Sequence, residues 1–539
     1  MLRANRLKVF LLRPAGVCLL VLAAAAVPAR VGQDTPRAGG TLRVRPFSND
    51  ITPNLDPASG VWVLATEQIF DGLVSIDANL SPAPGLAEYW QVEDDGRRTV
   101  FFLRKGCRFH NGSEITSADV KFSFERLLRP EVGSPFFEYF LTRVAGARDF
   151  REGRASEVTG FRTPASNVFE IQWTSPFVSA LPLLGLSFAK VLPKDLVKDQ
   201  GKNFFWRPVG SGPFAFESWM RSPRLDVVGV RLERNPRYFG KKPLVNLLEI
   251  SPHFTDEHFR NRELDICPFR NEDLAQSGCK VVLSGPRSLT LLAMSCANPP
   301  LDRPSVRRAI ARALDKDALA KAGGGLDTLR REANNLIPPL WPGFYPRDAV
   351  EAAPEKSRLA LEEQGFFQEK EFPPLLLFVP GGKDNRDHML FAREAVRELG
   401  LIGITASVST YQSLLDLKDV REPFLAKIDW MLDVPDPEMI LRPLFHSRSD
   451  INRTGFGYAN PELDKILDDA SAEKSSTKRT DLFRRAEAIV LEDLPALPVT
   501  MNEQRLALQP YVRGVRVPVL GFAYLDVREI WLDKREAPR

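Results

Sequence analysis

The stretch that decides the fold class is residues 375–408, LLLFVPGGKDNRDHMLFAREAVRELGLIGITASV. Its first five residues form an apolar run of strand length, residues 387–399 carry apolar side chains at helical spacing, and residues 402–408 have strand character again. A strand, a helix and a second strand in succession are typical of a crossover that places the two strands parallel in one sheet. We therefore predict that the C-terminal half of the chain is α/β.

Towards the N-terminus the pattern changes to antiparallel strands. Three segments at 214–219, 226–233 and 245–250 are rich in β-branched and aromatic residues and are separated by polar turns. Residues 61–73, nearer the start, have the apolar spacing of a helix. The N-terminal half is therefore predicted to be sheet-rich, and the whole chain to be a mixed α/β protein.

The length of the chain requires more than one core. Hydrophobic cores stop growing at roughly 250 to 300 residues, so a chain of 539 residues divides into two or three domains. With 44% hydrophobic and 26% charged residues, the body of the chain is predicted to be globular. The 73 basic and 69 acidic residues nearly balance without a dense basic run, which argues against nucleic acid as a partner.

The first thirty residues carry the features of an export signal. Four basic residues between Arg3 and Arg13 precede an uncharged, mostly apolar stretch at 14–29. That stretch is short of the roughly 20 apolar residues that span a bilayer comfortably, and the small side chain of Ala29 suits cleavage after it. We predict a cleaved signal peptide at 1–29 and a mature protein in the periplasm or another extracytoplasmic space; an uncleaved N-terminal anchor is the alternative.

Four cysteines remain after removal of the signal, namely Cys107, Cys267, Cys279 and Cys296. An even number in an exported chain permits disulfides, and Cys267 with Cys279 is the best-placed pair because a short segment separates them. Four free thiols are the equal alternative. No cysteine or histidine stands at metal-ligand spacing, and no nucleophile, phosphate-binding or dinucleotide motif occurs, so we predict no metal, no cofactor and no catalysis.

Several short blocks follow one another along the chain. The most specific is LRKGCRFHNG at 103–112, continued by ITSADVKFSFER at 115–126. The others are NLDP at 54–57, QIFDGLV at 68–74, GSGPF at 210–214, RNPRY at 234–238 and VRRAI at 306–310. In this order the blocks resemble the family 5 extracellular solute-binding proteins, the dipeptide, oligopeptide and nickel binders of ABC importers.

The resemblance implies a two-lobed periplasmic-binding-protein fold, type II-like, whose chain crosses a hinge twice and whose first lobe contains an inserted subdomain. We expect the crossings near 284–289 and 498–501, and lobes that close on a ligand by bending at this hinge. The implied boundaries are 39–75, 76–188 (the inserted subdomain), 189–287 and 499–539 for the first lobe, and 288–498 for the second.

The resemblance also implies a function. The chain is expected to capture a small ligand, above all a peptide, in the cleft between the lobes. It would act as a monomer outside the cytoplasm and deliver the ligand to the membrane permease of an ABC transporter, without chemistry. The alternative is an interaction or sensing protein that retains the fold without transport.

A candidate ligand site follows a predicted strand at 427–432. In open α/β sheets, ligands bind beyond the carboxyl ends of the strands, and the loop 433–437 lies there. Similar peptide binders carry an aspartate just before a Tyr-Pro-Asp-Pro run that pairs with the α-ammonium group of the ligand, and Asp433 occupies that position. A turn aspartate that only caps the loop is the alternative. Val434 stands where many members carry tyrosine, which puts peptide specificity in doubt.

Other side chains are candidates for the walls of the same cleft. A ligand carboxylate needs a cation, and Arg442, Arg448 and Arg453 lie downstream of Asp433. An aromatic cluster between two prolines could line the cavity or pack under a loop. Ser295 replaces the asparagine usual in similar proteins and could offer a hydroxyl to the ligand or make a buried local hydrogen bond. Our predicted ligand-binding set is Asp433, Trp430, Ser295, Asn54, Trp341, Phe344, Arg442 and Arg453.

Overall fold

The computed structural model describes residues 35–77, 80–324, 328–349, 351–382 and 385–533. The chain divides into a segment Met1–Pro36 and a compact unit Arg37–Arg539 that contains every element described below. The predicted signal peptide at 1–29 lies outside the described residues. Among the described residues, no helix combines the length and the apolar character needed to cross a membrane.

The strands of the described residues are numbered in chain order. They are β1 Thr41–Val44, β2 Val74–Ile76, β3 Pro82–Pro84, β4 Ala87–Glu93, β5 Arg98–Leu103, β6 Phe161–Ala165, β7 Val168–Gln172, β8 Phe214–Arg221, β9 Val227–Arg234, β10 Leu247–Ile250, β11 Ile266–Pro268, β12 Lys280–Met294, β13 Thr328–Glu332, β14 Leu375–Pro380, β15 Ala406–Tyr411, β16 Phe424–Met431, β17 Ala496–Leu508, β18 Val512–Arg513 and β19 Trp531–Leu532.

The α-helices are numbered in the same way. They are α1 Val63–Ile69, α2 Ser117–Leu128, α3 Glu138–Leu141, α4 Ala147–Arg151, α5 Ala180–Leu184, α6 Lys194–Gln200, α7 Asp256–Arg260, α8 Pro304–Ala313, α9 Lys316–Ala322, α10 Pro354–Glu362, α11 Arg386–Leu401, α12 Glu438–Phe445, α13 Asp450–Gly455, α14 Pro461–Ala472 and α15 Ser476–Asp493.

One large sheet runs through both lobes. Its strand order is β15-β14-β16-β12-β17-β11-β1-β10-β9-β8, with β13 pairing beside β17. The long strands β12 and β17 are antiparallel to each other and contribute to both halves of the sheet, because β17 pairs with β11 at one end and with β13 at the other. The two lobes are therefore joined by a pair of strands, and the predicted two-lobed α/β fold is confirmed.

The ladder between β12 and β17 is irregular where the lobes meet. Its register shifts between Leu283 and Pro286 and again between Pro286 and Ser288. Proline has no N–H to donate, so Pro286 cannot continue the ladder and the sheet can bend there. We call residues 284–288 the hinge segment. The lobe boundaries predicted from the sequence stay predictions.

A separate four-stranded sheet, β4-β5-β7-β6, lies in the N-terminal half between β1 and β8. Helix α2 packs on it, with the Phe124 ring 5.8 Å from that of Phe161 and 5.7 Å from that of Phe169. A capping box begins α2, because the Thr116 N–H donates to the Asp119 carboxylate over 2.9 Å. This sheet and its helix form the body of the inserted subdomain.

The crossover predicted at 375–408 is confirmed. Strands β14 and β15 are parallel and joined through α11, and β14 also runs parallel to β16. The three predicted antiparallel strands in the first half correspond to β8, β9 and β10. Among the described residues all four cysteines, Cys107, Cys267, Cys279 and Cys296, are free thiols, so the disulfide between Cys267 and Cys279 is absent and the alternative holds.

The helix predicted at 61–73 is shorter in the structure. Trp62 has a left-handed backbone conformation, with φ of 55°, so α1 begins only at Val63. It ends at Ile69 because the Ile69 carbonyl accepts the N–H of Gly212 (2.8 Å) and Phe70 turns extended. A distant loop, which periodicity cannot report, therefore sets the end of this helix.

We expect Glu398→Gln to flatten the dependence of stability on pH between about 4 and 7. Glu398 is 2% exposed and accepts the Asp315 N–H over 2.8 Å. Burial, opposed by that hydrogen bond, raises the pKa of Glu398 to about 7. Its contribution to stability is thus fully present below the unfolded pKa of about 4.3 and is lost as pH rises towards 7. Urea unfolding of both proteins at pH 4.5, 6 and 8 measures this; a free-energy difference that is constant with pH would contradict it.

Candidate functional site

A polar cavity of about 280 Å³ opens at the edge of the second lobe where the parallel strands β14 and β16 end. It is lined from β12, β13, β16 and β17 and from helices α9 and α11. Cavities beyond the carboxyl ends of parallel strands are the usual ligand sites of open α/β sheets. Its polar lining consists of Ser288, Thr290, Thr328, Arg330, Asp387, His388, Lys427, Asp429, Thr500 and Asn502.

A buried ion pair forms the floor of this cavity. Lys427 is only 6% exposed, its ammonium group contacts the Asp429 carboxylate, and its Nζ lies 3.1 Å from His388 Nδ1. Burial lowers the pKa of Lys427, partly opposed by Asp429. Burial alone would raise the pKa of Asp429, but the Lys427 ammonium outweighs it and the net shift is downward. Lys427 and Asp429 are therefore both charged, and their charges compensate each other within the protein.

The imidazole beside this pair is neutral at pH 7. Burial and then the charge of Lys427 lower the pKa of His388 below its usual value of about 6.5. A neutral imidazole can donate one hydrogen bond and accept another. His388 thus adds polarity to the cavity without adding charge.

Hydroxyl and amide groups from the two long strands extend the polar surface. Thr290 Oγ1 donates to Asp429 Oδ1 over 2.6 Å, and Asn502 Nδ2 donates to Ser288 Oγ (2.9 Å) and Thr290 Oγ1 (3.0 Å). Side chains alternate across a strand, so the neighbouring Leu289 and Leu291 enter the apolar core on the other face. The polar side chains of β12 and β17 lie next to the hinge segment, so their positions can change when the lobes move.

Arg330 brings a cation with spare hydrogen-bonding capacity to the same cavity. Its Nη1 is buried and has no hydrogen-bond partner among the described residues. Its Nη2 lies 3.8 Å from Asp387, too far for a hydrogen bond. An arginine in this state can bind a ligand carboxylate with its planar fork of donors.

A second group of side chains, the Asp433 cluster, consists of Arg287, Asp433, Tyr139 and Tyr524. Asp433 follows β16 and accepts a hydrogen bond from Arg287 Nη2 over 3.1 Å. Burial and then the charge of Asp433 raise the pKa of Tyr139 to about 12, and burial, together with Glu67 and Asp433, raises the pKa of Tyr524. Both phenols are therefore protonated at pH 7; the Tyr524 hydroxyl donates to Ser187 Oγ over 3.3 Å.

The Asp433 cluster lies where separate parts of the chain meet. Arg287 belongs to the hinge segment, Tyr139 to α3 in the N-terminal half, and Tyr524 to the chain after β17. Tyr139 stacks on Phe188, which stacks in turn on Phe136, with ring centroids 5.6 Å and 4.5 Å apart. This aromatic wall from the first lobe lies near the carboxylate of the second, as expected for an interlobe cleft.

Of the predicted site residues, the structure puts Asp433 and Trp430 next to this cleft. The side chain of Asp433 is 39% exposed. Trp430 is partly buried, and its Nε1 donates to the Met439 carbonyl over 3.1 Å. The loop after β16 thus has the predicted position at the end of a strand.

Asn54 and Ser295 have hydrogen-bond partners within the protein instead. Asn54 Oδ1 accepts the N–H of Asp56 over 3.0 Å, which stabilises a turn. Ser295 is 2% exposed, and its Oγ accepts the N–H of Phe424 over 2.8 Å. The Ser295 hydroxyl is therefore part of a buried hydrogen bond between distant parts of the chain.

The aromatic and arginine candidates are also placed away from the polar cavity. Trp341 is 4% exposed and Phe344 packs against the same apolar core. Arg442 pairs with Asp468 over 2.9 Å, Arg448 is exposed, and the Arg453 side chain is 65% exposed. None of them is among the residues that line the polar cavity.

Sequence reasoning missed Arg287, Arg330, His388, Lys427 and Asp429 as site residues. One signal was present, because Lys427 and Asp429 alternate with apolar Ile428 and Trp430 on a strand that is otherwise buried. Charged residues on a buried strand are rarely placed there without a partner or a function. Arg287 lies inside the predicted hinge crossing, but its pairing with Asp433 spans 146 positions and no local pattern reports it.

A larger cavity of about 1130 Å³ adjoins the Asp433 cluster at Tyr524 and is lined by residues between 67 and 240 and between 514 and 529. Lys190 and Glu67 form an ion pair of 2.8 Å at its wall. Because it has no lining from the second lobe, closure of the lobes would not enclose a ligand there. The smaller polar cavity and the Asp433 cluster are therefore the better candidate site.

Comparison with known proteins agrees with this geometry. The dipeptide-binding protein of Escherichia coli K12 is 26% identical over 508 residues, which cover 87% of this chain and 90% of the relative. Heme-binding protein A of Haemophilus influenzae is 27% identical over 499 residues, covering 85% and 86%. The structure of HbpA2 from Haemophilus parasuis superposes with a TM-score of 0.77 at 20% identity, covering 92% of this chain and 100% of that one.

A family model gives the assignment. The model of the bacterial extracellular solute-binding proteins, family 5 (middle), matches residues 81–452, which is more than half of the chain. The chain therefore belongs to the family 5 bacterial extracellular solute-binding proteins, as its sequence blocks predict.

Proposed function

We propose that this chain is an extracytoplasmic receptor that captures a short peptide between its lobes and delivers it to the permease of an ABC transporter. The observation that carries the proposal is the position of two charged groups at opposite ends of the candidate site. The polar cavity with Arg330 lies at one end of the site and the Asp433 cluster at the other. A peptide has a matching arrangement, with a carboxylate at one end and a polar amino terminus at the other.

The separation of Asp429, in the polar cavity, from Asp433 fits a short peptide. Asp429 in the polar cavity and Asp433 are four positions apart, which is at most about 13 Å along an extended chain. An extended peptide advances about 3.3 to 3.6 Å per residue, so roughly four residues fill that distance. We therefore propose Arg330 as the partner of the ligand carboxylate and Asp433, with Trp430, as contacts near the amino end.

The relatives support a peptide as ligand but do not name one for this chain. The E. coli relative, at 26% identity, is named for dipeptides, whereas the H. influenzae relative, at 27%, is named for heme. A binding assay of this chain must therefore include both peptides and heme. A ligand that binds only the native state raises the melting temperature by mass action.

We expect a tripeptide library, with free and with acetylated amino ends, to raise the melting temperature of the protein lacking residues 1–29. Hemin, nickel chelates and oligosaccharides serve as the competing ligands in the same assay. Arg330→Met should weaken binding of free-carboxylate peptides by roughly 30-fold or more, because a charge-assisted bidentate contact is lost. Calorimetric titration with one active peptide and its C-terminal amide measures the effect.

The neighbouring Arg331 provides the matched control. It lies on the same strand, but its side chain is 57% exposed and pairs with Glu503. Arg331→Met should bind like the parent. A melting temperature that rises with hemin and with none of the peptides would reject the peptide proposal, and equal losses in both variants would reject the role of Arg330.

A further inference from the structure

Asp433 already has a cation of the protein beside it. Arg287 Nη2 donates to its Oδ1 over 3.1 Å, and the Arg287 side chain is only 13% exposed whereas that of Asp433 is 39% exposed. A carboxylate attracts a ligand ammonium strongly when its charge is not compensated. Here the compensation is built into the protein, so the attraction for an ammonium group is reduced before any ligand arrives.

Arg287 is held in this position from two sides. Its backbone carbonyl accepts the N–H of Leu432, the residue before Asp433, over 3.0 Å. Its side-chain stem lies against Gly521, where an added Cβ would be 2.2 Å from Arg287 Cδ and where φ is +89°. The guanidinium group therefore cannot leave Asp433 unless the chain around Gly521 moves with it.

The same guanidinium group has an unused donor. Nη1 of Arg287 is buried and lacks a hydrogen-bond partner among the described residues. A buried N–H without a partner is costly, so a ligand acceptor that reaches it is favoured. Arg287 lies in the hinge segment, where the ladder between β12 and β17 is interrupted, so lobe movement changes the surroundings of this nitrogen directly.

The other groups of the Asp433 cluster also favour an acceptor. The phenol of Tyr139 is protonated and can donate a hydrogen bond, whereas that of Tyr524 donates to Ser187 Oγ over 3.3 Å. Glu67, which lies near Tyr524, is paired with Lys190 at 2.8 Å. An ammonium group bound at the free Oδ2 of Asp433 would meet the positive charge of Arg287 at close range, and this repulsion offsets the attraction. A neutral carbonyl group carries no positive charge for Arg287 to repel and can accept a hydrogen bond from its unused Nη1 donor.

We propose that Arg287 makes this end of the site selective for peptides whose amino terminus is acylated, so that a neutral amide carbonyl takes the place of an ammonium group. The inference rests on the proposed function, since it specifies which peptides the receptor takes. Arg287 is then a specificity-determining residue, and Asp433 serves to position it.

The test compares one tripeptide library with the same library after N-acetylation. Melting temperatures identify peptides that bind the protein lacking residues 1–29, and calorimetric titration gives the affinities of matched pairs. We expect the acetylated member of each pair to bind at least ten-fold more tightly. Arg287→Met should reverse the preference, because the ammonium group then finds Asp433 without a counter-ion.

One further variant tests whether the positive charge of Arg287 is what matters, and a second serves as a control. Arg287→Lys keeps a positive charge at Asp433 and should retain the preference for acetylated peptides. Arg224 is exposed and lies outside the cluster, so Arg224→Met should behave as the parent. Circular dichroism melting verifies that each variant is folded, and the comparison within the parent protein stands even where a variant does not fold.

The outcomes distinguish this inference from the function on which it rests. If the parent binds free-amine peptides as tightly as acetylated ones or more tightly, the inference is overturned while the peptide receptor stands. A preference for acetylated peptides that persists in Arg287→Met overturns the role of Arg287. If neither library shifts the melting temperature, the proposed function itself fails.

Discussion

Replacing Arg479 with alanine is expected to lower the free energy of unfolding by about 3 to 5 kcal/mol. Arg479 of α15 is 6% exposed and binds both oxygens of Asp436 (2.9 and 3.0 Å) and one oxygen of Glu438 (2.8 Å). Burial lowers its pKa, but the two carboxylates outweigh this and the net shift is upward. Without the guanidinium group, two carboxylates that are 5% and 3% exposed lose their common counter-ion.

Urea unfolding of Arg479→Ala against Arg484→Ala measures this effect. Arg484 lies on the same helix, but its side chain is 46% exposed and its ion pair with Asp481 is at the surface. Substitution of such a residue usually changes stability by less than about 0.5 kcal/mol. A loss below about 1 kcal/mol in Arg479→Ala would mean that water reaches the two carboxylates and that the network does not hold this region together.

The network of Arg479, Asp436 and Glu438 also connects two distant parts of the chain. Ser179, which is completely buried, donates from the N-terminal half to Asp436 over 2.7 Å, and Arg479 Nη2 reaches the same hydroxyl at 3.3 Å. Asp436 lies three positions after Asp433. The network therefore fixes the loop that carries the candidate ligand residue against the other half of the chain.

Much of the fold could be predicted because it depends on local patterns. The crossover through β14, α11 and β15 and the three strands β8, β9 and β10 follow from apolar periodicity and turn residues. The ends of the helices and strands were harder to predict. Helix α1 ends at Ile69 because Gly212, far along the chain, donates to the Ile69 carbonyl. A contact of that kind leaves no periodic signal in the sequence.

The sequence predicted the position of the candidate site but not most of the residues that form it. The loop after β16 was identified because ligands bind beyond the carboxyl ends of strands. The register that sets Ser288 opposite Met431, and so brings Arg287 to Asp433, depends on strand pairing across about 140 residues. Arg442, an arginine candidate near Asp433 in sequence, pairs instead with Asp468 on helix α14. Proximity in sequence was a poor guide to proximity in the cleft.

Replacing Lys427 with methionine is expected to lower the free energy of unfolding by about 3 kcal/mol at pH 8. The substitution leaves Asp429 without the ammonium group that compensates its charge in a partly buried position. The expected loss is at the lower end for broken ion pairs because the Asp429 side chain is 29% exposed. Lys465→Met, at a side chain that is 78% exposed, is the control.

The same substitution should change the titration of His388. Burial and then Lys427 lower the pKa of His388, whereas Asp429 and Asp387 raise it and Arg330 lowers it. Removal of Lys427 leaves Asp429 as the nearest charge, so the pKa of His388 should rise. A folded-state pKa that is raised above the unfolded value adds stability below that unfolded value, and this stability is lost as pH rises. The loss in Lys427→Met should therefore be smaller at pH 5 than at pH 8.

Proton NMR measures the pKa of His388, and urea unfolding at pH 5 and pH 8 measures the loss of stability. In the double variant Lys427→Met/Asp429→Leu the buried charge is absent, so most of the stability should return and the pH dependence should vanish. A His388 pKa that does not move in Lys427→Met would show that the imidazole does not sense this ion pair. The cavity holds its charges in balance before a ligand enters, and a partner of Arg330 must therefore bind without disturbing Lys427 and Asp429.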